Sequence, residues 1–357
     1  MAQKGGGWSH VLRRRGVHGG VESSNPQLLD AISGAIEAHG ASWLESDGAV
    51  SHSFVSAEER PRSVIAVVDV HCRNKTRRVL AKAVMDQVIP DAPTRPRIID
   101  LTAPADRLAA EFSALSHITE LPADDRFFAV SPLGFFTDPP VLVMEWSDAI
   151  PLTRHLMDAE EDGADRLMNS VGAWLKRFHQ LDAGQTPAYE HHVDLPRLFR
   201  GFRSAPGAGR RLGPISRLQS IALDRVSGES GDVPLGSLHG DMAPRNFLID
   251  SNGRVGGIDV SMRWKAPVLH DLAAFWLSLR VGRLRARDPR AIRADGWFES
   301  FLQGYGLEPR LRPSLDIYRA LLLVDRAAAA STTIRRLPET ILLTIEAGGL
   351  ISDLRDD

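Results

Sequence analysis

LGSLHGDMAPRNFLIDSNGRVGGIDVSMRWKAPVLHDLAAFW, residues 235–276, carries the densest pattern in the chain. An apolar run, Leu235–Leu238, leads into His239-Gly240-Asp241, and Asn246 follows after four intervening residues. Two short apolar runs follow, Phe247–Ile249 and Val255–Val260, joined by Ser251-Asn252-Gly253. Asn-Gly between such runs is the strongest short-range hairpin signal. Asp259 lies at the end of the second run, and His270-Asp271-Leu272-Ala273 opens a helical pattern. Phosphoryl transfer from ATP needs a carboxylate to accept or orient the attacking hydroxyl. It also needs oxygen ligands for a Mg²⁺ that bridges the phosphates, because positioning and neutralising charge is most of that catalysis. His-x-Asp-x4-Asn sets an Asp at the start of a tight loop and an Asn at its far end. The hairpin then returns a second Asp to the same place. One segment thereby supplies a base and two metal ligands.

Working outward, the first ordered pattern runs from Asn25 to Gly40. Asn25-Pro26 reads as an N-cap with proline at the first helical position; Leu29, Ile32 and Ile36 form a stripe that His39-Gly40 ends. Val50–Val55, Val64–Val70 and Arg77–Met85 are β-branched-rich runs between polar loops, as expected of a meander. Thr102-Ala103-Pro104 opens a helix with Leu108, Phe112 and Leu115 on one face, and strands are expected near Phe127–Val130 and Val141–Trp146. Beyond Trp146 the patterns turn mostly helical: Met168, Val171, Leu175 and Phe178 recur at core-facing spacing. A Gly/Arg/Ser-rich stretch at 200–214 reads as a loop. The expected organisation is a flexible arm over 1–24, a β-rich lobe with a leading helix over 25–146, and a helical lobe over 147–357.

Composition narrows the function classes. The 357 residues carry a formal net charge of −2, 43% hydrophobic and 25% charged residues, ordinary for a globular protein and unlike a general nucleic-acid binder. A single cysteine, Cys72, excludes a disulfide framework and any multi-cysteine metal site, and reads as a small buried residue. No apolar run reaches the length of a membrane span and no secretory signal is visible, so a cytoplasmic protein with no membrane partner is expected. Gly-x-Ser-x-Gly, His-Glu-x-x-His and Gly-x-Gly-x-x-Gly are all absent, and His191-His192 is an isolated pair. Lysine is scarce, 5 against 38 arginines, so a lysine on an apolar strand needs a reason.

The 239–273 segment resembles the aminoglycoside phosphotransferase and choline kinase family, which shares the two-lobed protein-kinase-like fold. The resemblance implies an α+β architecture, a small β-rich lobe and a larger helical lobe. It implies Asp241 as catalytic base, Asn246 and Asp259 as metal ligands, His239 as the prop of the loop and Asp271 as its brace. ATP and Mg²⁺ are the implied cofactors. A kinase-like site also needs a cation on the phosphates, usually a strand lysine held by a helical glutamate. Lys82 in Val79-Leu80-Ala81-Lys82-Ala83-Val84 shares a strand face with Leu80 and Val84. Glu111 projects beside the stripe of Leu108 and Leu115, where an unpaired glutamate is costly. Lys82–Glu111 is the expected pair. Val141–Trp146 resembles the strand into the hinge, with Glu145 and Trp146 beside the adenine. Trp174–His179 resembles a large-lobe helix of the family, and His179 is assigned no catalytic role.

Two departures shape the expectation. The phosphate-covering loop should be Ser56–Ser63, SAEERPRS, which holds no glycine, so the expectation is that Ser63 or Arg62 stands in for the missing backbone contacts or that the loop covers ATP loosely. A nucleotide-binding regulator without catalysis, on the same fold, is the alternative this loop supports. Gly240 occupies the place where protein kinases carry an arginine, Asp259 and Asp271 are only 12 positions apart, and no Ala-Pro-Glu follows. The acceptor is therefore expected to be the hydroxyl of a small molecule, such as an antibiotic, a sugar or an amino alcohol, not a peptide. Residues 186–320 hold 20 Lys+Arg against 14 Asp+Glu, a balance that disfavours a polycationic acceptor. Nothing in the sequence sets an oligomeric state.

Overall fold

The computed structural model describes residues 26–60, 63–84, 104–122, 124–158, 161–182, 184–187, 213–228, 232–260, 265–286, 294–331 and 337–356. The arm, Arg62, His191-His192 and most of the 200–214 stretch lie outside them. Along the chain the elements are α1 (Pro26–Trp43), β1 (Val50–Arg60), β2 (Ser63–Cys72), β3 (Lys75–Val84), α2 (Pro104–Thr119), β4 (Pro132–Thr137), β5 (Pro140–Glu145) and β6 (Ile150–Pro151). Then follow α3 (Leu152–Asp158), α4 (Glu161–His179), β7 (Gly184–Pro187), α5 (Gly213–Gly228), β8 (Asp232–Ser237), β9 (Phe247–Ile249), β10 (Val255–Gly257) and β11 (Lys265–Pro267). The chain closes with α6 (Leu269–Ala286), α7 (Ala294–Tyr305), α8 (Arg312–Ser331) and α9 (Leu337–Asp356).

Two compact units result. The first comprises Met1–Pro90, Leu101–Pro151 and Leu248–Ser261; the second comprises Asp91–Asp100, Leu152–Phe247 and Met262–Asp357. The first is built on an antiparallel five-stranded sheet of order β1-β2-β3-β5-β4. Alternation along β3 sorts its side chains: Val79, Ala81 and Ala83 are fully buried in a core with Leu28, Ile32 and Ile36 of α1. Leu80, Lys82 and Val84 take the opposite face, where α2 packs. The lysine is placed by the period of the strand.

Two expectations are corrected here. Phe127–Val130 is not a strand: Phe127 makes an isolated bridge to Val255, and the sheet strand is Pro132–Thr137, in a tight hairpin with β5. Apolar content marked the right neighbourhood, but partner availability on the β5 edge chose the residues. Nor is Ser56–Ser63 an open loop. β1 and β2 stay paired through Ser56–Arg60, the last pair being Arg60 with Ser63, and a register shift between Phe54 and Ser56 absorbs one residue.

The second unit is mostly helical. α4 and α7 approach to backbone contact, because a Cβ on Gly172 would lie 2.0 Å from the Phe301 carbonyl oxygen and one on Gly304 1.9 Å from that of Asn169. α8 packs against α5, α6 and α9. A small sheet of order β11-β8-β7 ends in Ser237, which delivers the chain to His239.

Candidate active site

The sheet unit holds one cluster of the expected residues. Lys82 Nζ donates to Glu111 Oε2 at 2.7 Å and to Asp259 Oδ1 at 2.6 Å. The Glu111 and Lys82 side chains are 8% and 18% exposed. Burial works against the ammonium, but the charges of Glu111 and Asp259 outweigh it and raise the Lys82 pKa above its ordinary value. Glu111 is pushed up to about 7 by burial, with Asp259 adding to the rise and Lys82 opposing it. A single cation is shared by two carboxylates, so the cluster is short of positive charge. Asp259 reaches Lys82 from a left-handed backbone, φ 56°, a conformation that a non-glycine residue holds only when its surroundings impose it.

A pocket beside this cluster is lined by Ile65, Leu80, Lys82, Met144, Trp146 and Ile258, with Glu145 and Ser147 at one end. Glu145 is already engaged: its amide donates to the Ser131 carbonyl at 2.8 Å and its carboxylate pairs with Arg77. Trp146 donates its indole N–H to Asp148 Oδ1 at 2.9 Å. Ser63 sits half-buried at the start of β2, paired with Arg60 and Val84. The Asn-Gly turn forms as its composition implies: Asp250 accepts from the backbone N–H groups of Asn252 and Arg254 at 2.9 and 2.8 Å.

The helical unit holds a cluster of its own, a turn over 239–246. Asp271, fully buried at the start of α6, accepts from His239 N at 2.6 Å and Gly240 N at 3.3 Å. Its Oδ2 also faces His179 Nε2 at 3.1 Å, and His179 Nδ1 lies 3.0 Å from the Tyr305 hydroxyl. Burial alone would raise the Asp271 pKa; the His179 hydrogen bond and the positive potential of His179, His239 and His270 outweigh it, and the net shift is downward. With Asp271 ionised, His179 Nε2 carries the proton and Nδ1 accepts from Tyr305. Burial and the Asp271 charge keep that phenol protonated, raising its pKa. The His239 ring is fully buried among Trp174, Phe178 and Phe247, at centroid distances of 6.2, 6.1 and 5.7 Å. Gly240 turns the chain with φ 85°, which explains a glycine in place of the arginine of protein kinases.

Beyond Gly240 the carboxylate of Asp241 emerges, with its side chain 57% exposed. Arg245 Nη2 contacts both its oxygens, at 2.9 and 2.7 Å. Asn246 is buried and donates its side-chain N–H to the Asp241 carbonyl at 2.7 Å, closing the turn from its far end. Among the described residues no group of three or more His, Cys, Asp or Glu side chains is arranged to hold a metal ion.

The expected site residues thus fall into two clusters, Lys82, Glu111 and Asp259 in the sheet unit, and His239, Asp241, Asn246 and Asp271 in the helical one. Sequence reasoning left out His179 and Tyr305 as members of the buried network, and Arg245 as the partner of Asp241. Arg245 stood within the motif, four residues after Asp241. The Tyr305 contact depends on the approach of α4 to α7. Several described arginines behind the basic balance of 186–320 are paired locally: Arg254 with Asp250, Arg280 with Glu346, Arg312 with Glu299 and Arg319 with Asp316.

The APH phosphotransferase enzyme family model matches residues 93–318, well over half of the chain. The chain belongs to that family. It is therefore a small-molecule kinase with an α+β, kinase-like fold, and its sequence matches no curated protein. Among solved structures similar to it, the Plasmodium vivax ethanolamine kinase has a TM-score of 0.53 at 11% identity, over 91% of this chain and 89% of that one. The choline kinase LicA of Streptococcus pneumoniae has a TM-score of 0.50 at 16% identity, over 91% and 99%. The amicoumacin kinase hAmiN, in complex with AMP-PNP, Ca²⁺ and Ami, has a TM-score of 0.50 at 12% identity, over 82% and 87%. At these identities the likeness is one of fold. Among the described residues of this phosphotransferase, no helix is long and apolar enough to cross a membrane.

Proposed function

We propose that the chain transfers the γ-phosphoryl group of MgATP to a hydroxyl of a small molecule, with Asp241 as catalytic base. The observation that carries this reading is the contrast within the 239–246 turn. His239 N and Gly240 N are tied to Asp271 and the Asn246 amide to the turn's own backbone, while the Asp241 carboxylate is left exposed. A base must be held from behind and open in front. Arg245 orients that carboxylate, and Lys82, held by Glu111, takes the nucleotide phosphates. Glu145, Trp146 and Ser63 contribute to the nucleotide's surroundings.

Asn246 and Asp259 fit Mg²⁺ by donor chemistry. Both offer hard oxygen atoms, and the Asn246 nitrogen is already spent on Asp241 O, which leaves its amide oxygen as the ligand-type atom. A set of one carboxylate and one amide suits an ion that draws its other ligands from phosphate and water. When bound, Mg²⁺ supplies charge neutralisation on the phosphates. Support for ATP comes from the family and from the AMP-PNP held by the fold relative hAmiN.

Asp241→Asn tests the assignment. It is expected to lower kcat by about a thousandfold or more while leaving MgATP affinity, measured by calorimetry, within about twofold. An Asn variant that turns over at the wild-type rate removes Asp241 from the chemistry. The glycine-free β1–β2 tip favours the binding-only alternative, and MgATP binding without phosphate transfer to any hydroxyl compound would establish it.

A further inference from the structure

Three helices meet behind the 239–246 turn. α6 brings Asp271 in its first turn, while α4 ends on His179 and α7 ends on Tyr305. All three residues are buried, at 0%, 3% and 4% exposed. The junction is built on close backbone approach. Gly304, next to Tyr305, seats α7 against the α4 backbone at Asn169. Gly236 of β8 lies so near the end of α4 that a Cβ there would stand 2.8 Å from the His179 carbonyl oxygen. An interior packed to this density leaves the His179 ring and the Tyr305 hydroxyl little room to drift.

Proton placement gives the hydroxyl its role. A carboxylate only accepts, so the 3.1 Å contact between His179 Nε2 and Asp271 Oδ2 requires the proton on Nε2. The neutral imidazole then presents a lone pair at Nδ1, and the Tyr305 hydroxyl, 3.0 Å away, donates to it. Without that hydroxyl, Nδ1 becomes a buried acceptor lacking its donor, and the ring torsion, broad by nature, is set by Asp271 alone. Asp271 Oδ2 also accepts from His239 N at 2.6 Å, and its Oδ1 from Gly240 N at 3.3 Å. A shift of the imidazole therefore reaches a carboxylate that holds two successive amides. Asp241 is the next residue.

We propose that Tyr305 is a positioning residue: its hydroxyl, acting through His179 and Asp271, holds the turn that carries Asp241 in working geometry. That a catalytic base is what it positions rests on the reading of Asp241 given above. The role is distinct from packing. A phenylalanine ring fills the same space and still offers its face to the Lys176 ammonium, 5.0 Å from the Tyr305 ring centroid, so Tyr305→Phe removes the donor and little else. A misplacement of about 1 Å at reacting groups costs about a hundredfold in rate, so a fraction of that at Asp241 is visible in kcat.

The test compares the full chain with Tyr305→Phe, Asp241→Asn and the double variant, each shown to be folded by its urea transition. ¹⁵N NMR of the histidine rings reads the tautomer, hydrogen exchange reads the His239 and Gly240 amides, and phosphate release from MgATP, with water as acceptor, reads turnover. In the wild type His179 is expected as the Nε2–H tautomer, with both amides protected. In Tyr305→Phe that tautomer is expected to lose its dominance, and the two amides to exchange faster by about tenfold or more. The kcat is expected to fall by about tenfold, with KM for MgATP within about twofold. In the Asp241→Asn background the same substitution should change the residual rate by less than about twofold, because the group it positions is gone. A wild-type His179 with its proton on Nδ1 overturns the proposal whatever the variants do. So do unchanged exchange and kcat in Tyr305→Phe, or a tenfold loss repeated in the double variant. Asp241→Asn at the wild-type rate is a separate failure, which removes the base and this role with it. A slow Asp241→Asn beside a Tyr305→Phe of wild-type rate removes Tyr305 alone.

Discussion

Glu111 and Asp271 are both buried carboxylates, 6% and 0% exposed, each at the heart of one cluster of charged and polar groups. Their protonation shifts run in opposite directions. Glu111 shares Lys82 with Asp259 and is raised to about 7, whereas Asp271 accepts from two backbone N–H groups and His179 and is lowered. Equal burial imposes a similar desolvation burden on both; the number and kind of donors decide the outcome. In the helical unit the donors are backbone groups and a histidine oriented by Tyr305, present whether or not anything binds, which makes a finished brace. In the sheet unit two carboxylates compete for one ammonium, so that cluster is left unbalanced.

Removing the brace is expected to produce the largest effect. Asp271→Ala leaves the N–H groups of His239 and Gly240 and the His179 ring without their acceptor in a sealed interior, and should cost about 3–5 kcal/mol of stability by urea unfolding. An unchanged unfolding midpoint would show that the turn is held by something else.

The pH dependence of stability separates the two acids. Glu111 keeps its proton in the folded state up to about pH 7, while the unfolded chain releases it near the ordinary value of 4.5. Its contribution is therefore fully present below about pH 4.5 and is lost as pH rises toward 7. Asp271, lowered from 3.8, contributes stability that is present above that value and is lost as pH falls through its folded pKa. Glu111→Gln should flatten the decline between pH 4.5 and 7 without touching the acid limb. A decline identical to that of the wild type would remove Glu111 as its source.

The smallest stability effect is expected at the exposed pair. Arg245 and Asp241 are 60% and 57% exposed, so Arg245→Ala should change unfolding free energy by less than about 0.5 kcal/mol. Its effect is expected in kcat, through the freed Asp241 carboxylate, with the MgATP KM held and partial recovery in Arg245→Lys. Loss of more than about 2 kcal/mol of stability would mean that the pair supports the turn as Asp271 does.

Much of this was written locally. Lys82 could be placed on the right face of β3 because a strand sorts its side chains by parity, and Glu111 because a helix repeats every three to four residues. The Asn-Gly hairpin needed only its own turn chemistry. The misplaced strand at Phe127–Val130 shows where such reading stops: hydrophobicity marks residues fit for a sheet, while the free edge of β5 selects Pro132–Thr137. A count of charge over 186–320 likewise shows nothing of pairing: Arg280, for one, reaches Glu346 outside that stretch.

The order and spacing of His239, Asp241, Asn246, Asp259 and Asp271 were thus set by the sequence, as were the elements that carry them. Their protonation states were not. Tertiary structure alone brings His179 to Asp271 across 92 positions and Lys82 to Asp259 across 177, and a pKa depends on distance and burial, which carry no trace in linear order. The pocket lined by Asp241 is of the same kind: each helix wrote its own stripe, and only the packing of α6 against α8 left part of both stripes uncovered there.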